Sequence, residues 1–258
     1  MSPSREGAAR RVVVTGGAKG IGRAIVERFA HLGDSVIALG RDERSLKEVA
    51  VEQSDLGRSV EYEICDVTVE GAVHEVFDRI GRVDVLVNNA GSSTSAPLHK
   101  TTLEQWQQQI AVNATGAFLC TRAVAHQMRE RNAGRIVFVA STAGVTGSRY
   151  TSGYAASKHA EVGLMRAVAA EFAGTGVTAN AVCPTYVETE MTERSVERIS
   201  ERTGRSETEA RAALEASSPL GRLLVPDEVA ATVVFLASPE AGGISGQVVI
   251  MDGGGIQR

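Results

Sequence analysis

Tyr154 and Lys158 stand four residues apart in Tyr154-Ala155-Ala156-Ser157-Lys158, and Ser141 lies thirteen residues upstream. Four residues is about one helical turn, so a helix here puts phenol and ammonium on one face. A phenol titrates near ~10, and making its proton usable at neutral pH costs roughly 3–4 kcal/mol. A fixed cation nearby supplies much of that by favouring the phenolate. The chemistry this spacing offers is proton exchange with a substrate oxygen. A Tyr-x-x-x-Lys pair is common on solvated helix faces, so its weight depends on the chain before it.

That chain opens with Arg11-Val12-Val13-Val14-Thr15, which runs into Gly16-Gly17-Ala18-Lys19-Gly20-Ile21-Gly22. A strand, a glycine turn and a helix start let backbone N–H groups approach a pyrophosphate at the positive helix end. The turn lacks the Gly-Lys-Ser/Thr ending of a triphosphate-binding loop, which disfavours nucleotide hydrolysis. About twenty residues on, a NAD enzyme places an acid to accept from the ribose 2′-OH. This chain has Leu39-Gly40-Arg41-Asp42 there. Gly40 leaves room, Arg41 offers a forked cation for a 2′-phosphate, and Lys19 adds a second positive charge. The expected cofactor is NADP(H), with NAD(H) the alternative if Asp42 reaches the ribose.

The elements that must hold these residues follow from period and composition. Strands are expected over 11–15, 36–39, 60–65, 84–88, 135–140, 177–182 and 247–251. Helices are expected over 21–32, 42–54, 69–80, 103–131, 154–173 and 227–237. Runs such as Val85-Leu86-Val87 and Ile136-Val137-Phe138-Val139 are apolar throughout, as in a parallel sheet covered on both faces. The expected fold is α/β, a doubly wound, mostly seven-stranded parallel sheet with helices on both faces. No linker divides the chain, so 1–258 is expected to be one domain with a flexible tail at 1–10. The polar, Glu- and Arg-rich stretch at 191–218 is too long for a simple connection and rich in helix formers. It predicts a helical substrate lid within 186–218.

The bulk numbers exclude several classes. A net charge of −4 gives no basic footprint for nucleic acid or anionic membrane. No apolar run approaches the ~18–20 residues a membrane span needs. The N-terminal residues carry no apolar stretch like a signal peptide. Cys65, Cys120 and Cys183 are odd in number and widely spread, as expected of reduced thiols in a cytoplasmic protein. The five histidines show no metal-ligand spacing, and no metal is expected.

Four further segments complete an ordered set: Asp66, Asn88-Asn89-Ala90-Gly91, Asn113, and Ser141 with Tyr154-x-x-x-Lys158. With the glycine turn they resemble the short-chain dehydrogenase/reductase family, from about residue 12 to 254. The resemblance implies that Tyr154 exchanges a proton with the substrate oxygen. It implies that Lys158 binds the nicotinamide ribose and favours the ionised tyrosine. Ser141 would hydrogen-bond the reacting oxygen, and Asn113 would hold a water that extends the proton relay. Asp66 and Val67 would meet the adenine, and Asn89, Ala90 and Gly91 would line the cofactor cleft. Pro184, Val187 and Thr189 would lie on the cofactor, with Thr189 at the nicotinamide carboxamide.

The overall pattern is most similar to 3-oxoacyl-thioester reductases, on acyl carrier protein or CoA, and related ketoreductases. Ketone reduction with NADP(H), a carrier-linked or small carbonyl substrate and a homotetramer are therefore expected. A NAD-dependent alcohol or 3-hydroxyacyl-CoA dehydrogenase and a catalytically silent scaffold are the alternatives. One departure stands out. The family commonly has Pro-Gly after the sixth strand, and this chain has Pro184-Thr185. A threonine where glycine's freedom is often needed questions the backbone path beside the nicotinamide.

Overall fold

Val12 and Val14 face one side of strand β1 (Arg11–Thr15) and Val13 faces the other, and all three are fully buried. Burying a valine contributes roughly 1.5–3 kcal/mol, which only a sheet with both faces covered can realise along a strand. The computed structural model describes residues 9–257, so most of the expected tail at 1–10 lies outside the described residues. Six more strands join β1: β2 (Ser35–Gly40), β3 (Val60–Ile64), β4 (Val85–Asn88), β5 (Gly134–Val139), β6 (Val177–Pro184) and β7 (Val248–Met251). They form one parallel sheet in the order β3-β2-β1-β4-β5-β6-β7. The order reverses between β1 and β4, and the crevice at such a point is where doubly wound sheets bind ligands.

One face packs on α1 (Gly20–His31), α2 (Glu43–Asp55) and α9 (Pro226–Leu236) through Ile25, Phe29, Leu46 and Val233. The other packs on α3 (Glu70–Ile80), α5 (Gly116–Glu130) and α6 (Ser152–Glu171) through Phe77, Cys120, Met128 and Met165. β6 lies between these layers with every residue buried.

The expected unbroken helix at 103–131 is interrupted. It consists of α4 (Leu103–Gln109), a π-helical turn at Ile110–Thr115 and then α5. The polar stretch after β6 forms α7 (Glu190–Thr203) and α8 (Glu207–Glu215) around a small core of Val196, Ala210, Leu214 and Leu223. Among the described residues no helix is long and apolar enough to cross a membrane. Nor, among them, could any group of three or more His, Cys, Asp and Glu hold a metal ion.

Candidate active site

The glycine turn joins β1 to α1 and is braced from β4. Thr15 Oγ1 accepts from the backbone N–H groups of Asn89 and Ala90, both at 2.9 Å. Asn89 Nδ2 donates to the carbonyls of Thr15 and Gly16 at 2.9 and 3.2 Å. The Asn89 amide is therefore spent on shaping the turn. Gly20 has a φ of +51°, and a Cβ there would come within 3.1 Å of the Thr189 methyl. Only glycine meets both demands. At Gly22 a Cβ would overlap the Gly16 carbonyl oxygen. Lys19 caps α1 without a side-chain hydrogen bond, and no acidic residue stands in the first turn. The positive end of α1 is thus left open for an anion, and the cradle fits a dinucleotide pyrophosphate.

Gly40 ends β2 and Arg41 follows with its side chain 73% exposed, 3.8 Å from Asp66 Oδ2. Lys19 Nζ lies 3.7 Å from Asp42 and 3.5 Å from Glu190. Two cations therefore flank the small residue. Asp42, the alternative ribose ligand, is engaged at the start of α2. It accepts from the Ser45 hydroxyl at 2.7 Å and the Ser45 N–H at 3.3 Å. Those bonds, the hydroxyl first, hold its carboxyl below the usual range. Asp66 accepts from Thr68 through backbone and hydroxyl at 2.9 and 2.7 Å. Burial pushes its carboxyl up, but the Thr68 bonds and Arg41 leave it net lowered. Val67, beside it, is buried in the sheet-side core.

The polar residues converge where β4 and β5 end. Asn113 sits in the π-turn, fully buried, and donates to the Ser92 carbonyl at 3.0 Å and to Ser157 Oγ at 2.8 Å. Its Oδ1 accepts from the Ser92 N–H at 2.8 Å. A Cβ on Gly91 would lie 3.3 Å from Asn113 Oδ1 and 3.8 Å from Lys158 Nζ, so one backbone site touches both groups. Ser141 follows β5 and is half-buried, its Oγ accepting from the Ala143 N–H at 3.1 Å. Tyr154, half-buried near the start of α6, is close enough to Lys158 to interact with its charge. Tyr186, half-buried after β6, feels Tyr154 as well, and burial raises its phenol above the ordinary value.

The ammonium of Lys158 donates to the Val139 carbonyl at 2.9 Å and to Glu161 Oε2 at 2.7 Å. Glu161 is 1% exposed and Lys158 4% exposed. Burial raises the Glu161 carboxyl to about 7 even with Lys158 beside it. Burial disfavours the Lys158 ammonium too, yet Glu161 and Tyr154 leave it net raised. The carboxylate is the partner that yields its charge first, because the ammonium keeps a second acceptor in Val139. Nothing in the spacing-based reading pointed to Glu161. The signal available was an acid three residues after Lys158, on the face that goes on to bury Met165 and Val168.

Just after β6, Thr185 donates its N–H to the Met251 carbonyl at 3.0 Å. The non-glycine residues with positive φ among those described are Asn132 and Tyr150, so Thr185 needs no glycine-like backbone. Pro184 closes β6, Val187 is buried, and Thr189 caps α7 by accepting from the Thr192 N–H. Of the arginines on α7, Arg198 donates to Ser95 Oγ at 3.1 Å and Arg202 to the Ser95 carbonyl at 2.9 Å. Arg194 pairs with Glu190 on its own helix.

A family model for short chain dehydrogenases matches residues 10–200, and the chain belongs to that family. It is 39% identical over 248 residues to a ketoacyl reductase of the granaticin polyketide synthase of Streptomyces violaceoruber, covering 94% of this chain and 91% of that protein. It is 39% identical over 253 residues to an acetoacetyl-CoA reductase of Shinella zoogloeoides, covering 95% and 98%. Among solved structures, an actinorhodin polyketide ketoreductase variant with NADPH superposes with a TM-score of 0.90 at 37% identity, covering 95% and 97%.

Proposed function

We propose that this chain is an NADP(H)-dependent ketoreductase, acting on a 3-oxoacyl thioester or a related polyketide or cyclic ketone and forming a secondary alcohol. The observation that carries it is the meeting of Lys158 and Asn113 on Gly91, with Tyr154 one turn before Lys158 on the same helix. The relatives support the substrate class, since they include an acetoacetyl-CoA reductase and a polyketide ketoacyl reductase. Arg41 and Lys19 beside Gly40, with Asp42 tied to Ser45, support NADP(H) over NAD(H).

Bound in this cleft, the reduced nicotinamide supplies the hydride. The open start of α1 holds the pyrophosphate, Asp66 and Val67 the adenine, and Pro184, Val187 and Thr189 the nicotinamide end. Ser141 donates to the ketone oxygen and polarises it. Tyr154 delivers a proton to that oxygen as negative charge develops. Lys158 orients the ribose and sets the electrostatics of Tyr154. Asn113 fixes the Ser92 and Ser157 backbone and hydroxyl around this relay. Helices α7 and α8 act as a lid over a single catalytic domain, excluding water from the cleft.

The segment around Leu103, Trp106 and Phe118 exposes apolar surface, which supports assembly into a tetramer of a cytoplasmic enzyme. Light scattering tests the assembly. The function is tested by following NADPH oxidation over acetoacetyl-CoA, longer 3-oxoacyl thioesters, cyclic ketones and diketones. Turnover of a thioester or cyclic ketone with NADPH well ahead of NADH is the expected result.

A further inference from the structure

Glu161 is a buried carboxyl on the catalytic helix to which the mechanism above gives no task. Ionised and unpaired, it would be costly to hold at this depth, and it lies 2.7 Å from the Lys158 ammonium. Lys158 has three N–H donors. Two point to Val139 and Glu161, which leaves one for the side where Gly91 and the cleft lie. A lone ammonium beside a phenol draws out the phenolate. An ammonium held against a carboxylate presents a nearly neutral dipole, so its pull on the phenol is weaker.

We infer that Glu161 is a positioning residue: it anchors the Lys158 ammonium and offsets its charge, so that Tyr154 stays protonated, and able to donate to a ketone oxygen, up to a higher pH. This rests on the ketoreductase reading. The other groups around the pair leave it intact. From β6, Cys183 faces it, and burial pushes that thiol up to about 11, so it stays neutral. Arg166 on α6 acts on Cys183. The π-turn and the turn at Thr142–Gly144 carry no ionisable side chain. Arg135 of β5 is bonded to carbonyls at the far end of the sheet, and Glu104 of α4 is exposed. Titration of Glu161 near neutral pH then tunes the same balance, since its protonation restores the full charge of Lys158.

The test compares wild type with Glu161→Gln and Glu161→Leu in ketone reduction across pH 5–10. Removing the carboxylate is expected to move the alkaline limb of kcat/KM for reduction down by about one pH unit or more, a tenfold effect on the protonation balance. A purely structural Glu161 would lower kcat/KM at every pH and leave the limb in place, and that result overturns the proposal. A second readout needs no turnover: phenolate absorbance near 295 nm, with Tyr154→Phe as the blank for that residue. The Tyr154 signal should appear at lower pH in both variants than in wild type. Should wild type turn over no ketone, the ketoreductase reading fails while this titration still decides the role of Glu161. An unshifted titration overturns it.

Discussion

Arg198 on α7 donates to the Ser95 hydroxyl at 3.1 Å, tying the helix after β6 to the loop after β4 across the cleft mouth. Arg202 adds a bond to the carbonyl of the same residue. A hydrogen bond of this kind contributes about 0.5–1.5 kcal/mol. Replacing both arginines by alanine should speed amide exchange over α7 by roughly tenfold and raise KM more than it lowers kcat. Unchanged exchange in the double variant would mean that these bonds do not hold the segment.

Tyr154→Phe removes the hydroxyl and keeps the ring. Loss of a general acid should lower kcat by about 10²–10³-fold while NADPH affinity, followed by cofactor fluorescence, changes little. Turnover near the wild-type rate would remove Tyr154 from the chemistry.

Arg41→Asp puts a negative charge where a 2′-phosphate is expected and offers an acceptor to a 2′-OH. Efficiency with NADPH should fall by at least about tenfold, and efficiency with NADH should hold or rise. Parallel kcat/KM measurements with the two cofactors check this. Equal losses with both would make Arg41 a surface charge paired to Asp66 and nothing more.

The stability of the fold should carry a signature of Glu161. Its carboxyl titrates at about 7 in the folded chain against 4.5 for the free group, so the folded state holds the proton more tightly. Its contribution is therefore fully present below pH 4.5 and lost as pH rises through 7. The melting temperature of wild type minus that of Glu161→Gln should fall across this window. A flat difference would show that the buried carboxyl ionises as easily as a free one.

Gly144 packs against α6 so closely that a Cβ would meet the Lys158 carbonyl oxygen at 2.8 Å. Gly144→Ala should push the catalytic helix away from β5, costing roughly 1–3 kcal/mol of stability and a larger share of activity. Thermal melts and kcat measured together separate the two effects.

Much of this was written in the chain. Val85-Leu86-Val87 and Ile136-Val137-Phe138-Val139 are apolar throughout because the sheet is covered on both sides there, while the edge strand β3, Val60-Glu61-Tyr62-Glu63-Ile64, alternates. The glycine turn and Tyr154-x-x-x-Lys158 mark the site because their spacing matches a turn and a helix. What the sequence hid depends on tertiary context. The π-turn around Asn113 has no periodic signature, since it arises from bonds to Ser92 and Ser157 on other segments. The helices after β6 were legible from their helix formers, but the small core that α7 and α8 enclose was not, because only folding assembles it. Whether Glu161 points to solvent or inward could not be read from its position in a helix, and the Lys158 contact decides it.

The π-turn amounts to one surplus residue in a helix that otherwise advances about 100° per residue. Upstream, α4 is phased so that Gln109 is buried; downstream, α5 is phased so that Cys120, Val124 and Met128 reach the sheet. The surplus residue reconciles two frames that an unbroken helix would set against each other. Wound as an unbroken α-helix with the same number of residues, this stretch would present the core residues of α5 about a quarter-turn off. Length at this point therefore acts as residue identity does elsewhere: the bulge, and with it the buried seat of Asn113, lasts only while the extra residue is there.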